Sequence, residues 1–135
     1  MKDIDKKLND TLNLYTASGI EQQVDYNKFY LYSLVTHSTA IEGSTITEVE
    51  NQLLFDEGIT AKGKSIVEQM MNLDLKNAYM FALEWVKTAQ PYTADLLCRL
   101  SSKVMQRTGS EHSVLGGNFD SSKGELRLCN VSAGI

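Results

Sequence analysis

Proline occurs once in the 135 residues, at Pro91. So few forced turns suit a helical chain, because an interior proline removes a helix hydrogen bond and clashes with the preceding turn. Cysteine occurs twice, as Cys98 and Cys129, without a Cys-x-x-Cys pair. That count excludes a multi-bridge disulfide scaffold, and the two residues read as reduced thiols of a cytosolic protein. Histidine is equally scarce. His37 and His112 stand far apart, with no Cys, Asp or Glu at metal-ligand spacing, and read as surface or partly packed residues. No apolar run reaches the ~18 residues that a bilayer span needs, so no membrane association is expected. The opening Met1-Lys2-Asp3-Ile4-Asp5-Lys6-Lys7 is charged and lacks the apolar stretch of a signal peptide. Positive charge is in deficit, at a net −4, which argues against nucleic acid as a partner. No Gly-x-Ser-x-Gly is present, and no pair of carboxylates stands out as an acid–base couple. The expected location is the cytoplasm.

What is there is a helical pattern. With 42% hydrophobic residues, one domain can bury ~65–70% of its extended surface. Ile4, Leu8 and Leu12 form one stripe of a first helix of about three turns, broken at Ser18-Gly19. A second helix starts near Gln22 or Asp25. It carries Leu31, Val35, Ser38 and Glu42 on one line, with Tyr30, Leu34 and Ile41 beside it. Thr47-x-x-Glu50 opens a short third helix as a capping box, with Val49, Leu53 and Leu54 as its expected buried side and Gly58 as its end. Ser65-x-x-Glu68 caps the longest helix. Val67, Met71, Leu75, Ala78, Ala82 and Val86 give it an apolar face wide enough for a central position, with its methionines as core filler. Thr93 caps a fifth helix with Leu96, Leu97, Leu100 and Val104 inward, Arg107 in its last turn and Gly109 as its stop. Gly116-Gly117-Asn118 and Asp120-Ser121-Ser122-Lys123-Gly124 are turn-rich. Residues Glu125 to Val131 alternate polar and apolar, as a half-exposed strand does. The fold expected is all-α, a bundle of about five helices, with a short C-terminal β segment. There is no internal repeat, low-complexity segment or interdomain linker.

Two local patterns bear on chemistry. Gly58-x-x-x-x-Gly63-Lys64-Ser65 has the spacing of a phosphate-cradling loop. It follows a helix where that motif needs a buried strand, so its glycines read as helix punctuation. The second pattern is Ser38-Thr39-Ala40-Ile41-Glu42-Gly43. Helix ends expose carbonyls with partial negative charge, and an acid there is unfavourable. Gly43 is the residue type that closes a helix in the left-handed conformation. Glu42 thus stands where a helix favours Lys or Arg. Either it is a solvated surface carboxylate, at a cost of only ~0.3–1 kcal/mol, or it meets a cation supplied from elsewhere. The apolar stripe running into Ser38 and Glu42 turns that pair toward the protein.

Ser38-Thr39-Ala40-Ile41-Glu42-Gly43 resembles the inhibitory motif [ST]-x-x-x-E-[GN] of Fic-domain proteins, in the class whose inhibitory helix precedes the Fic core. Its surroundings resemble the family too, over roughly residues 25–135. Glu42-Gly43-Ser44-Thr45-Ile46-Thr47 is similar to the family's E-G-[NS]-T-[LI]-[ST] run. Gly124-Glu125-Leu126-Arg127 leading to Asn130-Val131 is similar to its G-x-[YF]-R-x-x-x-V stretch, with Leu126 where an aromatic is usual. The stripe in the first residues makes an N-terminal helix at 1–20, and the resemblance implies the N-terminal part of a Fic-like domain at 21–135. Ser38, Glu42 and Gly43 would be the inhibitory residues. Gly124, Glu125, Leu126, Arg127, Leu128, Cys129, Asn130 and Val131 would form one side of a flap on which a target protein docks as an added strand.

The family moves AMP from ATP, with Mg²⁺, to a protein hydroxyl. Its inhibitory glutamate pairs with the arginine that otherwise holds the γ-phosphate, and Ser38 would help to fix that carboxylate by hydrogen bonding. The signature H-[PF]-F-x-x-G-N-G-R, which supplies the base, the anion cradle and the magnesium-binding group, does not occur in these 135 residues. No catalytic or metal residue is therefore assigned. The chain by itself is expected to bind neither ATP nor Mg²⁺ productively and to transfer no AMP. Helix faces left uncovered make a homodimer or an exposed apolar patch the expectation. Two other readings of the residues are a non-catalytic helical interaction module and a small inhibitor presenting its glutamate to a separate Fic protein. The flap-like residues disfavour the inhibitor.

Overall fold

The computed structural model describes residues 2–130. Among them are five α-helices and one antiparallel two-stranded sheet near the C-terminal end, the architecture expected from the sequence. No helix among the described residues is long and apolar enough to cross a membrane.

Helix α1 (Lys2–Ser18) is longer than its stripe suggested and has no buried residue. Ile4, Leu8 and Leu12 are 69%, 66% and 57% exposed. Gly19, in the left-handed region at φ 68°, ends it before a single 3-10 turn at Ile20–Gln22. The Tyr15 and Tyr26 hydroxyls share a hydrogen bond that ties α1 to the next helix.

Helix α2 (Tyr26–Ile41) starts at Asp25, whose carboxylate accepts the Lys28 N–H at 3.1 Å. Both sequence-read capping boxes form. Thr47 and Glu50 open α3 (Glu48–Glu57), and Ser65 and Glu68 open α4 (Ile66–Lys87). Each box satisfies two N–H groups that a helix start leaves unpaired. Helix α5 (Ala94–Val104) begins at Thr93, whose hydroxyl accepts the Leu96 N–H. Helix α4 is the spine, packing on α2 and α5, while α3 packs on α2.

The core is small and partly polar. Its apolar part includes Leu31, Val35, Ile46, Leu54, Ala78 and Leu96, and Thr36, Thr39, Ser44, Asn51, Asn72 and Asp74 are buried as well.

Helix α3 does not bury Val49 and Leu53; it buries Asn51 and Leu54, three residues apart on the face toward α2 and α4. The hydrogen bonds of Asn51 to both neighbours fix that rotation. Leu97 of α5 is exposed, and only Leu96 of the expected inward set is buried. Arg107 lies beyond the end of α5, at Val104, not in its last turn.

The strand expected from Glu125 to Val131 is absent over 125–130, and Val131 lies outside the described residues. The sheet is instead a hairpin of β1 (Glu111–Val114) and β2 (Gly117–Asp120), which takes up the stretch read as turns. Its register pairs Glu111 with Asp120, His112 with Phe119, Ser113 with Asn118 and Val114 with Gly117. His112 stacks on Phe119 with centroids 4.9 Å apart, and the buried Phe119 anchors the hairpin. Alternation makes a strand only where a partner edge is in register. Glu125 is instead turned back on Asp120, whose N–H it binds at 2.6 Å through its carboxylate.

Candidate functional site

The C-terminal turn of α2 opens onto a cleft of about 560 Å³. Ser38, Thr39 and Glu42 form its α2 side, and Val67, Met71 and Leu75, one turn apart along α4, form its floor. Val104 and Met105 from the end of α5 close the far side, with Thr108 and Arg127 at the rim. The stripe that the sequence assigned to a covered core therefore lines a cleft, with Val67 57% exposed.

The sequence-read inhibitory residues stand together here. Ser38 and Glu42 share the cleft wall, and Gly43 is in the left-handed region at φ 96°. Glu42 caps α2, its own N–H donating to the Thr39 carbonyl at 3.0 Å. Its carboxylate is exposed at the cleft mouth and makes no ion pair with any described residue. The negative end of α2 and an unpaired carboxylate thus coincide, and both favour an incoming cation. No hydrogen bond joins Ser38 to Glu42 among the described residues, so the expected one-turn brace is not what holds the acid.

The chain on either side of Glu42 is tied to a buried polar network through Thr39 and Ser44. The Asn72 amide is fully buried, and its Nδ2 donates to Ser44 Oγ at 3.0 Å and to the Glu68 carbonyl at 2.8 Å. Its Oδ1 accepts from Asn51 Nδ2 at 2.8 Å and from Thr39 Oγ1 at 2.9 Å. The second Asn51 amide hydrogen goes to Thr36 Oγ1 at 2.9 Å, while Asn51 Oδ1 is buried without a hydrogen-bond partner.

The turn after Glu42 is held again from outside. The Glu68 carboxylate accepts from the Thr45 N–H, the Thr45 hydroxyl and the Ser65 N–H and hydroxyl. These donors, the Thr45 N–H foremost, hold its carboxyl down at about 2. Lys64 Nζ donates to the Thr45 carbonyl and hydroxyl at 2.8 and 3.0 Å, so the lysine of the phosphate-loop spacing is engaged on this turn.

The other wall is fixed by an ion pair whose acid is buried and whose arginine reaches solvent. Asp74 is fully buried, and its two oxygens accept the Arg107 N–H at 2.6 Å and Arg107 Nη1 at 2.5 Å. This pins the chain that leaves α5, and with it Thr108, to α4.

Compared with protein-family models, curated proteins and solved structures, the chain matches none.

Of the flap candidates among the described residues, only Arg127 lines the cleft. Gly124 is buried with φ 72°, and a Cβ there would lie 1.9 Å from the Cys98 carbonyl oxygen. Only glycine permits that approach to α5. Arg127 reaches the cleft rim, and with Leu128, Cys129 and Asn130 it also borders a second hollow beside the hairpin tip at Leu115 and Gly116. Glu125 and Leu126 border a further hollow against α5.

The cleft offers one carboxylate, one guanidinium and an apolar floor. Among the described residues no group of three or more acidic, histidine or cysteine side chains could hold a metal ion. Sequence reasoning missed Asn51, Asn72, Asp74 and Arg107. The signal was available in Asn72 and Asp74, polar residues within the most apolar helix.

Proposed function

We propose that this chain forms the regulatory and target-facing part of a Fic-type protein adenylyltransferase, with Glu42 as its inhibitory glutamate. The observation that carries the reading is the cleft itself. Ser38 and Glu42 line one wall at the negative end of α2, above an apolar floor, and Glu42 has no partner of its own among the described residues. An exposed apolar floor beside an unpaired acid is complementary to a helix presenting an arginine, which supplies both missing halves. The resemblance assigns that helix to the segment carrying H-[PF]-F-x-x-G-N-G-R, which would hold ATP and Mg²⁺. In this reading the chain's contribution is to hold a negative group where the γ-phosphate would otherwise pair. Arg127 at the rim and the segment 124–130 beside the hairpin are the proposed target-facing side.

The test is Glu42→Gly in a gene product that joins this chain to the signature segment, using ATP labelled at the α-phosphate. Increased self-labelling supports the reading, and labelling equal to wild type refutes it. A second reading, a non-catalytic helical interaction module, draws on the exposed Ile4–Leu8–Leu12 stripe of α1. It predicts a coding sequence in which no signature segment follows.

A further inference from the structure

The inhibitory reading needs more than an acid near a cleft. A carboxylate on a mobile turn spends its time in solvent, so the turn itself must be fixed. Glu42 lies between two residues held by one side chain. Thr39, three positions before it, has its hydroxyl 2.9 Å from Asn72 Oδ1. Ser44, two positions after it, accepts from Asn72 Nδ2 at 3.0 Å.

The Thr39 hydroxyl has one proton and three acceptors in reach: the Val35 carbonyl, the Thr36 carbonyl and Asn72 Oδ1. The carbonyls lie inside α2, where helix N–H groups serve them already. The amide oxygen is buried and depends on side-chain donors. All four hydrogen-bonding positions of the Asn72 amide are then filled, with α2, the turn, α3 and α4 each supplying a partner. The backbone closes around the same point. The Glu42 and Ser44 N–H groups both donate to the Thr39 carbonyl at 3.0 Å, and the Gly43 N–H donates to the Ala40 carbonyl at 3.1 Å.

We infer that Asn72 is a positioning residue for Glu42. Its buried amide holds the chain on both sides of the acid and so sets the direction in which the carboxylate enters the cleft. The functional half of this inference rests on the inhibitory reading above, whereas the mechanical half does not. Asn72 touches no cleft ligand, since it is fully buried behind the wall. Ser44 is the mildest point at which to cut the link, because Ser44→Ala removes one hydroxyl and Ser44→Thr restores it.

The experiment is amide hydrogen exchange by NMR on the full chain, comparing wild type, Ser44→Ala, Ser44→Thr and Asn72→Leu. In Ser44→Ala the amides of Glu42, Gly43 and Ser44 are expected to exchange about tenfold faster, while those of α4 and α5 keep their protection. Ser44→Thr returns them to wild type. Asn72→Leu gives a larger loss at the same amides and leaves the Ile46 N–H to Ser44 Oγ bond in place. Unchanged exchange at the three amides in Ser44→Ala overturns the inference, as does an equal loss in every helix. If Asn72→Leu does not fold, the serine pair decides alone.

A second arm uses labelled ATP and a gene product that joins this chain to the signature segment. Ser44→Ala should raise self-labelling part of the way toward Glu42→Gly, and Ser44→Thr should not. Increased labelling in Glu42→Gly with none in Ser44→Ala overturns the positioning role. No increase in Glu42→Gly itself overturns the inhibitory reading, and the exchange data still judge the mechanical one.

Discussion

Arg107→Ala tests the wall of the cleft most severely. Asp74 is wholly buried on α4 and receives two bonds from Arg107, one from its backbone N–H and one from its guanidinium. Removing one partner of a buried ion pair costs about 3–5 kcal/mol, because the remaining charge stays desolvated without compensation. The Arg107 side chain is 40% exposed and the backbone bond survives the substitution, so the lower end applies, about 3 kcal/mol. Against a domain stability of about 5–15 kcal/mol that loss is large. At roughly 4 °C per kcal/mol, the melting temperature should fall by about 12 °C. Urea unfolding followed by circular dichroism measures the first quantity and a thermal scan the second. The double substitution Asp74→Leu with Arg107→Met removes both charges and should be less costly than Arg107→Ala alone. A loss below about 1 kcal/mol for Arg107→Ala would show that the pair behaves as a surface salt bridge and would refute the reasoning.

Three further outcomes follow from the same geometry. Gly124→Ala places a methyl 1.9 Å from the Cys98 carbonyl oxygen at a φ of 72°, so it should cost at least about 2–3 kcal/mol by urea unfolding; near-neutral behaviour would mean that the contact with α5 is not kept. Glu68 has its folded carboxyl lowered from 4.5 to about 2, so the stability it contributes is complete above pH 4.5 and is lost as pH falls through about 2; an NMR titration of the Glu68 carboxylate with a midpoint near 4.5 would contradict the clamp on Thr45. Tyr32 is pushed up to about 12, first by its removal from water and then by donating to Asp56 at 2.7 Å; its neutral form is favoured by the fold, so its contribution is present below pH 10 and is lost toward pH 12, and ultraviolet titration of wild type against Tyr32→Phe should remove a late-titrating tyrosine.

The elements were largely legible because their ends are written in local chemistry. Thr47-x-x-Glu50 and Ser65-x-x-Glu68 each name a helix start, and each forms the reciprocal bonds that the spacing allows. Gly19, Gly43 and Gly58 all adopt the left-handed conformation at the breaks where they were read. Which face a helix buries was less legible, because that depends on neighbours distant in sequence. Val49 and Leu53 share one stripe of α3, yet the helix turns Asn51 inward because Thr36 and Asn72 wait there to accept its hydrogens. The hairpin was missed for a related reason. Glycine-rich stretches read as turns, whereas Phe119 supplies the one buried anchor that makes β2 worth pairing. Of the candidate site, Ser38 and Glu42 were found by the apolar stripe that leads into them. The parts that hold them were not, since an Asn and an Asp inside an apolar helix carry no periodic signal of what they bind.

The most direct measurement is the structure, with ATP bound, of a gene product that joins this chain to a signature segment, read at the Glu42 carboxylate. The account predicts that carboxylate within salt-bridge distance, about 4 Å or less, of the arginine in the Gly-Asn-Gly-Arg segment, with Asn72 still bound to Ser44 behind it. A carboxylate pointing into solvent while that arginine grips the γ-phosphate would contradict it.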